Sequence, residues 1–501
     1  MKKRTKILTC LLMCAVMVLG GCNGAGAEVG GDGNKADTSK TDNSSEETAE
    51  LILVMPGNDA APASLHKIEE GINAITKEKM NATVKIQIIP WGSYDEQVNL
   101  MLSGSEPMDM MITMKNPSGY YQRGQILSME DLIDQYAPEA KEVLGDDLEA
   151  CRLGGEIYGL YPFHDIAQTA GLCARTDILE EIGADPEKIK TWDDVTNLLQ
   201  SVKDAYPEMN ILTPGTLKRG IVENLVISRF DILTPGIGTA YDSDGKVVNI
   251  YGTDKYKEIV EMAYDWYNKG YILSDANTNT ETRESHIKAG DTFGYIVSTK
   301  PGMDTQETLA TGMDMTAITI DEPTINTGSI AGFQWVLPRT SSNPEKAMEF
   351  YNLMFTDADI QNYFIYGIED TDYVKISDNV IGYPEGVDGS NAGWVGNSWF
   401  AGNCYISYIW DGNSEDSWKQ LEEFNEGAKR SPLFGYLFDT EVNKNEIAAI
   451  ANAESKYKTL LESGMADPEK TITEFIKAMD DAGANKVIEE AEGQIEVWKA
   501  K

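Results

Sequence analysis

The 501-residue sequence is poor in positive charge, in histidine and in cysteine. Lysine and arginine number 42 against 81 aspartates and glutamates, for a formal net charge of −39. Such a field repels phosphate backbones and anionic lipid headgroups, which excludes nucleic acid as a partner. It does not identify a small ligand. Only His66, His164 and His286 are present, and no G-x-S-x-G, H-E-x-x-H or P-loop pattern occurs. Acidic residues are so abundant that a pair of carboxylates, the signature of a glycosidase, carries no information. Of six cysteines, only Cys151, Cys173 and Cys404 lie beyond residue 22. Their number is odd and their spacing is not that of a metal site, so three buried thiols are expected, with a Cys151–Cys173 bridge as the alternative. No cofactor or metal is expected. The longest apolar run, 7–19, falls short of the roughly 20 residues that a spanning helix needs.

What is present begins with an address. Lys2, Lys3, Arg4 and Lys6 precede that apolar run, and Leu19-Gly20-Gly21-Cys22 closes it. The charge, length and small residues read as a secretory signal over 1–21. They also form a lipobox, which makes Cys22 the lipidated first residue of the mature chain. Two acyl chains or more give a stable anchor where one is marginal. Residues 22–49 hold Gly, Asp, Asn, Ser, Thr and Glu, with Val29 as the only larger aliphatic. That composition cannot bury enough apolar surface to offset chain entropy, and it is read as a disordered tether. The expected location is extracytoplasmic, on the cell membrane.

The body has an αβ rhythm. An apolar strand over 51–55 runs into Pro56-Gly57-Asn58-Asp59. A helix follows over 63–80, with Leu65, Ile68, Ile72 and Ile75 at helical spacing. A strand over 83–89, a helix over 94–103 and a strand over 108–113 continue the pattern. Alternation of this kind argues for a parallel sheet covered on both faces. Ligands of such sheets sit beyond the carboxyl ends of strands. That position makes Asn58, Asp59, Trp91, Lys115 and Asn116 candidates.

Ten short passages, in order, resemble those of family 1 extracellular solute-binding proteins, the group that includes the maltose-binding proteins. They include MLSGSEP (101–107) followed by Asp109 and Met110-Met111-Ile112, YYQRGQIL (120–127) and GEIYGLYP (155–162). Arg175-Thr176-Asp177, Thr191-Trp192-Asp193-Asp194 and NPEKAMEF (343–350) follow. SPLFGYLFDTEVNKNEIAAI (431–450) and ESGMADPEK (462–470) resemble the carboxyl-terminal domain of a lipoprotein subgroup. The resemblance implies an α/β, two-lobed, periplasmic-binding-protein-like fold with the ligand cleft between lobes and several inter-lobe crossovers. One lobe is placed at 51–160 plus 331–378 and the other at 163–330 plus 379–501. The crossings then fall near 161–165, 329–332 and 380. The family usually reads Gly-Leu-Pro at the first crossing; here the residues are Gly159-Leu160-Tyr161-Pro162, which puts Tyr161 at the mouth of the cleft.

A carbohydrate is the expected ligand, handed to the permease subunits of an ABC importer by a monomeric binder without enzymatic activity. Sugars present C–H faces ringed by hydroxyls, and they call for flat aromatics beside Asp, Asn and His. Residues 391–418 concentrate these: Trp394, Trp399, Phe400, Tyr405, Tyr408, Trp410 and Trp418 among Asn391, Asn397, Asn403, Asp411 and Asn413. About half of the rings are expected in the core, and one or two on the ligand. Trp335 is read as evenly divided between cleft floor and packing, and His164-Asp165 as hydrogen-bonding groups beside the crossing. Trp192 and Trp498 read as structural. Asp242-Ser243-Asp244-Gly245 hints at a calcium loop but lacks the later ligands, and it reads better as a hairpin turn. A binder of a peptide or polar metabolite is the alternative, and a secreted glycosidase the least favoured.

Overall fold

The structure, a computed structural model, describes residues 47–114, 117–216, 218–389 and 391–500. The signal, Cys22 and nearly all of the tether lie outside them, as do Lys115 and Asn116. Thr48–Lys501 form one compact unit. Among the described residues no helix is long and apolar enough to cross a membrane.

The expected opening is found. Strand β1 (Ala49–Gly57) lies parallel to β2 (Ala82–Pro90) and to β3 (Met110–Thr113), and the sheet is closed by the antiparallel strand Gln334–Val336. Leu51, Leu53 and Val54 are fully buried, as the central strand of a sheet covered on both faces requires. Helix α1 (Leu65–Met80) buries Ile68, Ile72, Thr76 and Met80 along one stripe and ends on Asn81 in the left-handed region, φ 49°. Helix α2 spans Tyr94–Gly104. Asp109 is buried and ties the return of the chain to this sheet. One of its oxygens accepts from Ile52 N–H at 2.9 Å, and the other accepts from the Ser341 hydroxyl at 2.7 Å.

The second sheet has the order Met315–Thr319, Gly171–Arg175, Thr292–Val297, Asn210–Leu212. Only its last pair is parallel; the other two are antiparallel. The expectation of parallel pairing thus holds at the start of the chain and not here. Three carboxyl-terminal helices, Lys444–Glu462, Pro468–Asp481 and Ala484–Lys499, pack on the core of this second lobe through Ile450, Phe475, Val487 and Ile495. The hairpin reading of 242–245 is borne out: Ile237–Ala240 pairs antiparallel with Val248–Asn249, and Lys255 Nζ occupies both Asp242 oxygens at 2.7 Å. Among the described residues, Cys151, Cys173 and Cys404 are free and buried.

The partition between the cores differs from the expected one: Ile166, Ala167, Ile325 and Ile330 belong to the first core, which moves the first two crossings, and the largest difference is in the last segment. Trp394, Phe400 and Ala401 belong to the first core, whereas Leu433 and Tyr436 belong to the second. Residues 379–430 therefore stay with the first lobe. Trp394 Nε1 donates to Phe364 O at 2.9 Å, and a Cβ on Gly396 would stand 2.2 Å from the same carbonyl. The absence of that side chain lets the segment lie directly on helix Ala358–Tyr366.

The chain crosses near 168, 323–325 and 429–431. The three crossings are hydrogen-bonded to one another. Gln168 and Thr324 exchange N–H···O bonds at 2.8 Å, Lys429 N–H donates to Pro323 O, and Ser431 N–H donates to Ile325 O, both at 2.8 Å. The last contact belongs to a short parallel ladder between Thr324–Ile325 and Lys429–Arg430. Asn425 holds the approach to the first crossing. Its Oδ1 accepts from Ile166 and Ala167 N–H, each at 3.1 Å, and its Nδ2 donates to His164 O at 2.7 Å.

Candidate functional site

Beyond the carboxyl end of β1 lies a cavity of about 540 Å³. Pro56 to Asp59 form one wall, Ile88 and Trp91 a second, and the loop 391–397 with Phe400 a third. Two asparagines of that loop are oriented by the backbone. Asn391 Oδ1 accepts from Asp388 N–H at 2.8 Å, and Asn397 Oδ1 accepts from Trp399 N–H at 2.9 Å. Asp59 makes a similar turn through Ala61 N–H at 2.9 Å and is exposed, as is Asn58. A Cβ on Gly393 would meet Ser64 Oγ at 2.5 Å, so glycine is needed for the loop to come this close to the start of α1.

A ladder of rings leads from the cavity to the first crossing. Trp91 meets Phe400 at 5.5 Å, Phe400 meets Phe333 at 5.6 Å, Phe333 meets Trp399 at 5.6 Å, and Trp399 stacks on His164 at 5.6 Å with 20° between planes. Trp91 is 37 % exposed and Trp399 40 %. Trp91 lines the cavity and Trp399 stands further along the ladder; large aromatics so exposed offer a face to an incoming molecule.

Beside the ladder, Asp165 pairs with Lys300 at 2.7 Å. Burial works to raise the Asp165 pKa, but the Lys300 charge and the His164 hydrogen bond outweigh it and hold the carboxyl well below the usual range. Lys300 follows strand Thr292–Val297, so this ion pair links the second lobe to the crossing. His164 is 6 % exposed and its Nδ1 contacts Asp165 O at 3.0 Å.

The structure sorts the candidates of the sequence. Asn58, Asp59, Trp91 and Trp394 line the cavity, and Trp399 joins it through Phe333 and Phe400. His164 reaches the same group through its ring, whereas the Asp165 carboxylate is engaged by Lys300. Three expectations are corrected. Tyr161 is 1 % exposed, its hydroxyl donates to Asp147 Oδ2 at 3.1 Å, and it is a core residue with no face at the cleft. Trp335 is fully buried, with Nε1 donating to Phe400 O at 2.9 Å. Asn403 is 8 % exposed and caps the turn at 404–406 by accepting from Tyr405 N–H at 3.0 Å. Trp192 and Trp498 are structural, as read: Trp192 Nε1 donates to Asp321 at 2.8 Å, and Trp498 packs on Tyr436. Phe333, which joins Phe400 to Trp399, is not among the sequence candidates. It lies two residues before Trp335 and just outside the strand Gln334–Val336, so the alternation of strand faces does not fix where its ring points.

Residues 63–361 match the family described as bacterial extracellular solute-binding protein, and residues 432–500 match a domain of unknown function (DUF3502). A carbohydrate ABC transporter substrate-binding protein of Streptococcus pneumoniae serotype 4 is 26 % identical over 458 residues, covering 86 % of this chain and 88 % of the relative. The crystal structure of the N-glycan transport solute binding protein NgtS from Streptococcus pneumoniae aligns with a TM-score of 0.78 at 23 % identity, covering 89 % of this chain and 98 % of that one. Its complex with Man5GlcNAc aligns at 0.68 and 23 % identity, over 90 % and 99 % of the two chains.

Proposed function

The chain belongs to the bacterial extracellular solute-binding protein family, and from that premise we propose that it captures an oligosaccharide for an ABC importer. The observation that carries this reading is the ring ladder, which sets exposed Trp91 in the cavity wall beside its asparagines and Asp59 and continues through Phe400 and Phe333 to exposed Trp399. Flat faces receive the C–H surface of a pyranose, and amide and carboxylate oxygens accept from its hydroxyls. The relatives support the choice of ligand, since they are named for carbohydrate and N-glycan. The cavity is walled by the first lobe; a ligand in it that also reaches the second lobe favours the closed arrangement, and that arrangement is what the permease subunits read. No residue is assigned a catalytic role.

Titration calorimetry of the purified protein with mannosyl and glucosyl oligosaccharides, and with a mixed di- to pentapeptide library, tests this. Micromolar or tighter binding of an oligosaccharide, with no heat from peptides, is the expected result; the reverse pattern would sink the proposal. Cys22 anchors the protein by its lipid, with residues 23–49 as the tether. In cells, Cys22→Ser should move the protein from the membrane fraction into the medium. Retention on the membrane would count against the anchor.

A further inference from the structure

The 540 Å³ cavity does not account for every exposed ring on this side of the molecule. A second group stands on a small sheet in which Val380–Gly382 pairs antiparallel with Val374–Lys375 and parallel with Ile409–Trp410. Tyr383, the residue after the middle strand, is 38 % exposed and packs on Trp410 with ring centroids 4.4 Å apart and planes 34° from parallel. The underside of Trp410 rests edge-on against buried Tyr366 at 5.6 Å. The pair is thus a supported shelf that is partly open to solvent.

Two contacts place the shelf along the cleft. On one side, a Cβ on Gly389 would stand 3.3 Å from the Tyr383 hydroxyl, and Gly389 itself lines the cavity. On the other, the loop after Trp410 touches the second lobe: Thr305 Oγ1, on helix Met303–Thr311, donates to Gly412 O at 2.9 Å. The shelf therefore runs from the rim of the cavity to the place where the lobes meet. Exposed Asp411 adjoins it as a hydroxyl acceptor.

We propose that Tyr383 and Trp410 form an outer subsite that receives the distal sugars of a chain whose first residues occupy the cavity. The inference rests on the reading of the cavity as a carbohydrate site. It adds a length preference: a chain long enough to pass Gly389 gains a second aromatic contact, and a shorter one does not.

The test is calorimetry on the full chain with two pairs of probes, Man1GlcNAc and Man5GlcNAc, and maltose and maltohexaose. The wild type should bind the longer member of at least one pair more tightly. Tyr383→Ala should weaken that longer ligand by about tenfold, the effect of removing one aromatic anchor. The shorter ligand should bind the variant as it binds the wild type, which also shows that the cavity is intact. Tyr383→Phe should retain both affinities. An equal loss for short and long ligands, or no loss for either, overturns the shelf and leaves the cavity reading standing. If the wild type binds no member of either pair or of the wider oligosaccharide panel, the cavity reading falls and the shelf with it.

Discussion

Replacing Trp399 with alanine should weaken oligosaccharide binding by about 2 kcal/mol, roughly thirtyfold in Kd, with little change in thermal stability. The two readouts separate because of where the ring stands. Trp399 is 40 % exposed, so its removal opens no closed cavity in the core. It is nevertheless held on two sides, by His164 at 20° and by Phe333 at 45°, so it loses little rotamer freedom when a ligand arrives. A fixed aromatic face costs less to bind against than a mobile one. Trp399→Phe should recover part of the affinity, since a smaller ring still stacks. Titration calorimetry and a thermal melt on the same preparations decide the matter. Unchanged affinity in a variant that melts with the wild type would make Trp399 a cover for His164 and nothing more.

The largest loss of stability is expected from Asn425→Ala, at about 3–5 kcal/mol. The Asn425 side chain satisfies two backbone N–H groups, of Ile166 and Ala167, and the His164 carbonyl, and it also donates to the Tyr405 hydroxyl at 2.9 Å. The residue is 9 % exposed, and Ile166 and Ala167 are buried as well. Each buried polar group left without a partner costs about 1–3 kcal/mol, and alanine strands several at once. Asn425→Asp should fall between, because a carboxylate still accepts from both N–H groups but presents a charge to the His164 carbonyl. Urea unfolding of the three proteins gives the order. A loss below about 1 kcal/mol for alanine would mean that the first crossing is held by other contacts.

Much of the first lobe was legible because its signals are local. Leu51–Met55 is an apolar run ending in turn residues, and the spacing of Ile68 and Ile72 marks a helix face that the structure buries. The loop of Asn58 and Asp59 follows from the strand end alone, and the structure lines a cavity with it. The tryptophans were harder. Trp335, Trp394 and Trp399 all stand near glycines in the sequence, yet the first two spend their indole N–H on buried carbonyls and the third does not. Those carbonyls belong to Phe400 and Phe364, 65 and 30 residues away, and no local pattern announces them. The third crossing was misplaced for a related reason. Lys429–Arg430 is a strand of two exposed charged residues, with no alternation to read, and its existence depends on Thr324–Ile325 more than 100 residues earlier. Tyr161 was misjudged because a cleft and a core both welcome tyrosine; the buried Asp147 that takes its hydroxyl decides for the core.

The pairing of the three crossings has a mechanical consequence. Three separate linkers would leave the lobes free to slide, twist and rock independently. Linkers bonded edge to edge cannot shear past one another without breaking Gln168–Thr324 or Lys429–Pro323 and exposing their backbone groups. The soft motion that remains is a bend across the ribbon. Closure is then close to a single coordinate, and one ligand contact on each side of the cleft is enough to set its value. A transporter that inspects the outer surface at two points could read from their separation whether the cleft is loaded.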